Sequence, residues 1–196
     1  MTCIVSWTES DGTIYMGGDS SGIAETDLRI RKDSKVFIKD DKFIFGFTSS
    51  FRMGQLLKYS LEIPKQSVSE EDYQYMCTTF IDSMHELFKE KNYSRIENNV
   101  SEGGFFLVGY NGVVYEVEPD FQVAIVYDNF SAIGCGECYA LGAMNILKDK
   151  NLKPENKIIE ALKTANKFSS GVYPPFYVLK LSEKLTGSNL KKTKNK

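Results

Sequence analysis

The first 22 residues constrain the fold more than any other part of the chain. Two strand-forming runs, at 4–7 and 13–16, are separated by the hairpin signal Asp11-Gly12. A tight turn between two such runs predicts an antiparallel pair, so the chain begins inside a sheet. Thr2 then lies at the open end of the first strand, directly behind Met1.

The rest of the sequence alternates strand pairs with helices. Further strands are predicted at 35–38, 43–47, 105–110, 113–117, 121–126, 130–133 and 176–181, and residues 93–103 as a loop. Apolar spacing and capping signals predict helices from Ser49 or Ser50 to Pro64, over 69–92, around 140–147, and from Pro154. This order predicts an α+β protein, a four-layer αββα sandwich of two mainly antiparallel sheets flanked by helix pairs.

Length and charge limit the classes of function. A chain of 196 residues predicts one domain, which we place at 1–185, followed by a lysine-rich disordered tail at 186–196. Five lysines and no acid follow residue 183, so the body is more acidic than the net charge of −2 suggests. An acidic body argues against nucleic-acid binding. Without an apolar run of membrane length, a signal peptide or a disulfide pattern, we expect a cytoplasmic protein with no membrane partner.

Thr2 carries the chemistry that the sequence suggests. Removal of Met1 gives one residue both a nucleophilic hydroxyl and a free α-amino group, which serves as its general base. Asp19, at the end of the second strand, is expected almost opposite the chain start, where it can form a salt bridge with Lys35. A nearby Lys35 cation lowers the pKa of the amine and favours its neutral form. Taken singly, Asp19 is typical of a turn and Lys35 of a solvated strand end.

Acyl transfer also needs backbone N–H groups aimed at the developing oxyanion. Gly46 stands inside an apolar strand, where a glycine often marks the close approach of a ligand. The turn Gly134-Cys135-Gly136 precedes a helix and offers further N–H groups. A bulge or an ordinary helix entry explains both segments equally well.

Taken in order, these segments resemble a known family. TCIVSW, MGGDSSG, SKVF, FIFGFTSS and the Gly-Cys-Gly turn fall in the order found in proteasome β-type subunits and in the HslV peptidase subunit, which are N-terminal nucleophile hydrolases. The resemblance implies an αββα fold and a threonine-type peptidase. It assigns Thr2 as nucleophile, Asp19 and Lys35 as its electrostatic support, and the Gly46 N–H as oxyanion donor. It also implies a polypeptide substrate and a homo-oligomeric ring, and it leaves an ATP-dependent unfoldase open as a partner.

Two positions depart from the pattern of that family. Cys135 stands where a serine usually holds the threonine amine, and a thiol is the weaker hydrogen-bond partner. The family's Asp-x-x-Ser pair corresponds to a segment from Asn166 that has no acid, leaving Ser169 or Ser170 to take part. An alternative is therefore a degenerate subunit with a structural or binding role, and a third reading is a small-molecule amidase.

Other chemistry is expected to be absent. Cys135 and Cys138 match the C-x-x-C spacing, but a zinc or redox site needs more ligands or a thioredoxin-like context. His85, the single histidine, falls inside the predicted 69–92 helix. We expect no metal and no cofactor.

Overall fold

The computed structural model describes residues 1–97 and 100–182 of the chain. The strands of these residues are β1 (Cys3–Thr8), β2 (Ile14–Gly18), β3 (Ser21–Ala24), β4 (Asp27–Ile30), β5 (Val36–Lys39), β6 (Phe43–Phe47), β7 (Arg95–Glu97), β8 (Val100–Glu102), β9 (Phe106–Tyr110), β10 (Val113–Val117), β11 (Val123–Ile125), β12 (Phe130–Gly134) and β13 (Tyr177–Leu181). The predicted tail at 186–196 lies outside the described residues.

Two antiparallel sheets form the middle of the molecule. The first has the strand order β12-β1-β2-β13, and the second has the order β11-β10-β9-β6-β5. The hairpin expected at Asp11-Gly12 is present, with Ile4 opposite Gly18 in the β1–β2 register. This register brings the residue after Gly18 beside the start of β1, as the sequence predicted.

Helices cover the outer face of each sheet. They are α1 (Phe51–Tyr59), α2 (Asp72–Tyr75), a π-helical turn (Met76–Phe80), α3 (Ile81–Glu90), α4 (Glu137–Leu147) and α5 (Pro154–Phe168). Ser50 caps α1 through a hydrogen bond from the Arg52 N–H, and Pro154 occupies the first turn of α5. Both helix starts therefore follow the expected capping chemistry.

Three apolar layers separate the four structural layers. Side chains alternate along each strand, so Ile4 faces the opposite sheet while Cys3 and Val5 face α4 and α5. Ile4, Met16 and Ile44 belong to the buried layer between the sheets. A third layer packs the aromatic side chains of β5, β6 and β9 against α1 to α3. The αββα sandwich expected from the sequence is confirmed.

Some elements differ from the sequence prediction. β3 and β4 form an additional hairpin beyond β2, and residues predicted as a loop contain the β7–β8 hairpin. The helix expected over 69–92 begins only at Asp72, and its N-cap residue, Glu71, makes no capping hydrogen bond. The π-helical turn within this helix has no counterpart in the sequence pattern.

Candidate active site

Thr2 lies just before β1, and its side chain is buried. Its Oγ donates a hydrogen bond to the Met1 carbonyl oxygen at 2.6 Å, and the Lys35 Nζ is 3.4 Å from the same oxygen. The Thr2 hydroxyl and the Lys35 ammonium therefore converge on one carbonyl group. The Met1–Thr2 peptide bond is intact here, so the Thr2 nitrogen is an amide.

Lys35 and Asp19 form a buried ion pair beneath Thr2. The Nζ–Oδ1 distance is 2.8 Å, and the side chains are 1% and 0% exposed. Burial lowers the pKa of Lys35 below its ordinary value of 10.5, while the Asp19 charge and hydrogen bond oppose that shift. The expected pairing of these two residues is present in the geometry.

Asp19 is held in place by backbone and hydroxyl donors. Its Oδ1 also accepts the Cys3 N–H at 2.9 Å, and its Oδ2 accepts both the N–H and the hydroxyl of Ser21. The Ser21 hydroxyl oxygen also lies 2.7 Å from the Gly171 carbonyl oxygen, the alternative acceptor for its single proton. Each carboxylate oxygen thus has at least two donors, which fixes the direction of the Lys35 bond.

The turn before α4 encloses Thr2 from the other side. Gly134 has a φ of +98°, and a Cβ there would come within 2.4 Å of the Thr2 carbonyl oxygen. Only glycine fits both the conformation and the space. The Thr2 N–H donates to the Cys135 Sγ at 3.3 Å, and the Gly136 N–H lies 3.4 Å from the Thr2 carbonyl oxygen. The structure thus places the Cys135 thiol beside the Thr2 nitrogen, and its role in holding the amine stays a prediction.

Ser169 reaches this group through Cys135 and through Gly171, whose N–H its Oγ accepts at 3.3 Å. Its Oγ lies 3.4 Å from the Cys135 carbonyl oxygen and 3.5 Å from the Cys135 Sγ. The Asn166 side chain donates to the Val172 carbonyl oxygen at 2.5 Å, so it holds the chain after α5 rather than Thr2. The structure places Ser169 near the site and Asn166 outside it.

Gly46 is not part of this group. A Cβ at Gly46 would come within 2.5 Å of the Ile4 side chain and 2.7 Å of the Met16 sulfur, so the residue faces the layer between the sheets. The Thr48 N–H bonds to the Phe105 carbonyl, and strict alternation along the ladder then directs the Gly46 N–H to Leu107. That N–H is used within the sheet, so the expectation of Gly46 as oxyanion donor is wrong.

Ser49 is a better candidate than Gly46 for the backbone donor. It follows β6, has a φ of +62°, and lines a cleft together with Thr2. Within the described part of the chain its N–H has no hydrogen-bond acceptor, whereas its hydroxyl accepts the Phe105 N–H at 3.1 Å. Ser49 therefore presents a free backbone donor beside the Thr2 hydroxyl.

The cleft at Thr2 has a volume of about 370 Å³. One wall consists of the end of β6 and the start of α1, and the other consists of the β3–β4 hairpin, which the sequence analysis did not predict. Both the Thr2 side chain and the Ser49 backbone line this cleft. A carbonyl group bound here can contact a hydroxyl and a backbone N–H at once.

The cysteines and the histidine are the other candidates for ligand chemistry. All four cysteines are free thiols, and burial raises the pKa of Cys3 well above its ordinary value. The described residues contain no group of three or more metal-ligating side chains. The His85 ring packs edge-on against Phe121 with a centroid distance of 4.9 Å. Among the same residues, no helix is long and apolar enough to span a bilayer.

Comparison with known proteins supplies likenesses of structure. No protein-family model and no curated protein sequence matches the chain. BPH from Thiobacillus denitrificans superposes with a TM-score of 0.75 at 20% identity, covering 91% of this chain and 97% of BPH. The same protein in complex with epoxomicin gives a TM-score of 0.74 at 20% identity, with coverage of 91% and 98%. HslV from Trypanosoma brucei gives 0.68 at 21% identity, with coverage of 92% and 99%.

The chain has the HslV-like fold. The resemblance drawn from the ordered sequence segments is thereby confirmed for the architecture, which extends over nearly the whole length of each neighbour. Within this HslV-like fold, the strand-end positions of Thr2, Asp19 and Lys35 bring the three residues together.

Two residues of the site were missed in the sequence. Ser21 clamps Asp19, and a signal for it existed, because a serine two residues after an aspartate commonly bonds to that carboxylate. Ser49 carried no such signal, since a serine with positive φ cannot be recognised from its sequence neighbours. The oxyanion donor was therefore predicted at Gly46, three residues before Ser49 in the same strand-to-helix junction.

Proposed function

We propose that this chain is a threonine-type amidohydrolase that acts as a peptidase, with Thr2 as nucleophile after removal of Met1. One observation carries the proposal. The Thr2 hydroxyl and the buried Lys35 ammonium both contact a single carbonyl oxygen, that of Met1, at the edge of a cleft. The side chain of the residue thus lies where a nucleophile and a fixed cation can act on one carbonyl group.

The first chemical step uses the new α-amino group. Once Met1 is removed, the neutral Thr2 amine accepts the hydroxyl proton and the Oγ attacks the carbonyl carbon of the substrate. A free α-amino group titrates near about 8, and the neighbouring Lys35 cation lowers its pKa further. Asp19 keeps that cation in place through the 2.8 Å salt bridge.

Backbone donors complete the acyl-transfer step. Ser49 lines the cleft and, among the described residues, its N–H has no acceptor, so it is the donor we assign to the oxyanion. The amine leaving group takes the proton held by the Thr2 amine, and an ester to Thr2 remains. Water then attacks that ester, again with the Thr2 amine as base, and releases the acid product.

The HslV-like fold supports further parts of the same proposal. We assign it a polypeptide substrate, assembly into a homo-oligomeric ring, and a cytoplasmic setting, with an ATP-dependent unfoldase as the partner to be sought. Light scattering of the purified chain tests the ring directly, because a ring has several times the 22.2 kDa mass of one chain. A chain that stays monomeric at micromolar concentration contradicts this part.

The central test combines intact mass with a site-directed probe. We expect the purified protein to lack Met1 and to gain the mass of one epoxomicin molecule, the compound present in the BPH complex. Thr2→Ala is the matched control, since alanine also permits methionine removal but has no hydroxyl. Thr2→Ser should retain labelling. Failure of the correctly processed wild-type protein to label would overturn the proposal.

A degenerate subunit is the second candidate. The interactions around Cys135 favour this candidate. The segment from Asn166 has no acid, and the Asn166 side chain bonds to Val172 rather than to the site. For that candidate we expect normal assembly and removal of Met1, without labelling and without cleavage of peptides. The same two measurements therefore separate the candidates.

A further inference from the structure

The β3–β4 hairpin places charged side chains along the wall of the Thr2 cleft. Side chains alternate along a strand, so Asp27, Arg29 and Arg31 share one face of β4 and its continuation, and all three line the cleft. The Arg31 N–H bonds to the Ser20 carbonyl, which extends the ladder as far as Arg31. Two guanidinium groups and one carboxylate therefore border the same space as the Thr2 hydroxyl.

Arg31 is held in a fixed orientation. Its guanidinium lies 3.7 Å above the centroid of the Phe51 ring, and its Nε and Nη2 donate to the two carboxylate oxygens of Asp33. Gly22 leaves room for the side chain, because a Cβ there would come within 2.9 Å of the Arg31 Cδ. A guanidinium carries five N–H groups, so the Nη1 of Arg31 keeps two donors for another anion.

Arg29 is the second cation of this wall. It is exposed, and over residues 1–97 and 100–182 it forms no salt bridge. Asp27, two residues before it, is also exposed and is the one carboxylate lining the cleft. Asp33 is satisfied by Arg31 and does not line the cleft. The lining thus has an excess of positive charge.

Part of the remaining lining is apolar. Ala24, which shares the hairpin face of Asp27 and Arg29, and the half-buried Phe51 contribute hydrocarbon surface to it. A side chain that fits this lining has an aliphatic stem and an anionic end, because the stem buries apolar surface and the carboxylate forms charge-assisted hydrogen bonds. Glutamate has this form, and aspartate has a stem one methylene shorter.

We infer that the cleft selects peptide substrates with an acidic side chain, glutamate above all, on the residue whose carbonyl Thr2 attacks. This inference rests on the proposed peptidase function. Arg31 and Arg29 bind the carboxylate, while Ala24 and Phe51 pack against the stem. A lysine at the same substrate position would meet two guanidinium groups and is excluded by repulsion.

The test uses fluorogenic peptides that differ only in this residue: Glu, Gln, Leu or Lys. We expect kcat/KM for Glu to exceed that for Gln by about tenfold, the scale of one charge-assisted hydrogen bond at a half-exposed site. Arg29→Gln and Arg31→Gln should each reduce this ratio, and Arg29→Glu should favour the Lys peptide. Arg52→Gln is the matched control, because Arg52 is exposed on α1 and does not line the cleft.

A binding measurement separates this inference from the proposed function. Calorimetry with Thr2→Ala and acetylated peptide amides compares Glu with Gln without any turnover. Selective binding of the Glu peptide, lost in Arg29→Gln and weakened by salt, supports the inference even for an inactive chain. Equal binding of both peptides overturns it. Cleavage of all peptides without preference for Glu also overturns the inference, while the proposed peptidase function stands.

Discussion

The interactions on the two sides of Thr2 differ in burial and in length. On one side, the Lys35–Asp19 pair is fully buried, and every oxygen of the carboxylate has more than one donor. On the other side, Cys135 is exposed and Ser169 is half-buried, and their side-chain contacts are 3.3–3.5 Å long. The difference indicates that the electrostatic support of Thr2 is rigid, whereas the hold on its nitrogen is weak.

We expect this contrast to affect the rate of catalysis more than whether the chain is active. A buried charge pair is costly to disturb, because removal of one partner leaves the other charge uncompensated. A weak bond to a thiol contributes less, and it can be lost or improved without disturbing the fold. Variants on the two sides should therefore differ in the size of their effects and in what they affect.

The largest effect is expected from the buried pair. Lys35→Met should abolish turnover and lower the free energy of unfolding by about 3–5 kcal/mol, because Asp19 then stays charged without its partner. Urea denaturation and peptide hydrolysis measure the two losses. Asp33→Asn removes the exposed Arg31 pair, whose side chains are 36% and 50% exposed, and should cost less than about 1 kcal/mol.

A double variant sharpens this first prediction. Lys35→Met combined with Asp19→Asn removes both charges, so part of the lost stability should return while turnover stays absent. If the double variant were as active as wild type, the electrostatic role of the pair would be wrong.

The pH profile should show the next largest effect. Activity should rise about tenfold per pH unit below the pKa of the Thr2 amine, which we expect below about 8. Activity should fall again at high pH as Lys35 loses its proton. Because burial lowers the pKa of Lys35, this decrease should occur below pH 10.5. Hydrolysis rates measured from pH 5 to about pH 10 test both limbs. A profile without a rising limb contradicts the amine as base.

Lys35 should also make the free energy of unfolding depend on pH. Because burial lowers the pKa of Lys35, the unfolded state binds more protons between the folded-state pKa and 10.5. The contribution of Lys35 to stability therefore increases as the pH rises through that window. The difference in the free energy of unfolding between wild type and Lys35→Met, measured by urea denaturation, should therefore increase as the pH rises through the same window.

A smaller effect is expected from Cys135. Cys135→Ser replaces a weak acceptor by a hydroxyl, and kcat should rise by about threefold to tenfold, while Cys135→Ala should lower it by a similar factor. Steady-state kinetics of the two variants give this comparison. Lower activity in Cys135→Ser than in Cys135→Ala would show that the thiol itself is needed.

The smallest effect is expected from Ser169→Ala. Ser169 contacts the site through Cys135, at 3.4 Å and 3.5 Å, and through Gly171 at 3.3 Å, so kcat should change by less than about threefold. Ser170→Ala is the matched control at the neighbouring position. A loss as large as that of Lys35→Met would mean that the Cys135 side is not the weaker one.

Local patterns explain which elements were predictable. Runs of β-branched and aromatic residues defined β1 and β2, the Asp11-Gly12 turn joined them, and Pro154 marked the start of α5. The β3–β4 hairpin had no such pattern, since its second strand, Asp27–Ile30, is exposed throughout. An exposed strand of mixed charged and apolar residues has no buried face, so sequence periodicity does not reveal it.

The site divides in the same way. Thr2, Asp19 and Lys35 were found because each follows or precedes a strand whose pairing could be inferred. Gly46 was chosen wrongly, because the availability of its N–H depends on the register with β9, a strand some sixty residues away in the chain. Cys135 and Ser169 were placed by the resemblance, and their long contacts became evident only in three dimensions.

The sequence by itself determined the succession of strand pairs and helices, the layered architecture and a threonine at the start of the first strand, because those features follow from local periodicity and turn chemistry. The tertiary structure alone decided which backbone N–H remains free at Ser49 and which charged side chains face the cleft. Both depend on strand pairings and packing between distant segments, and these nonlocal interactions are fixed only when the two sheets come together.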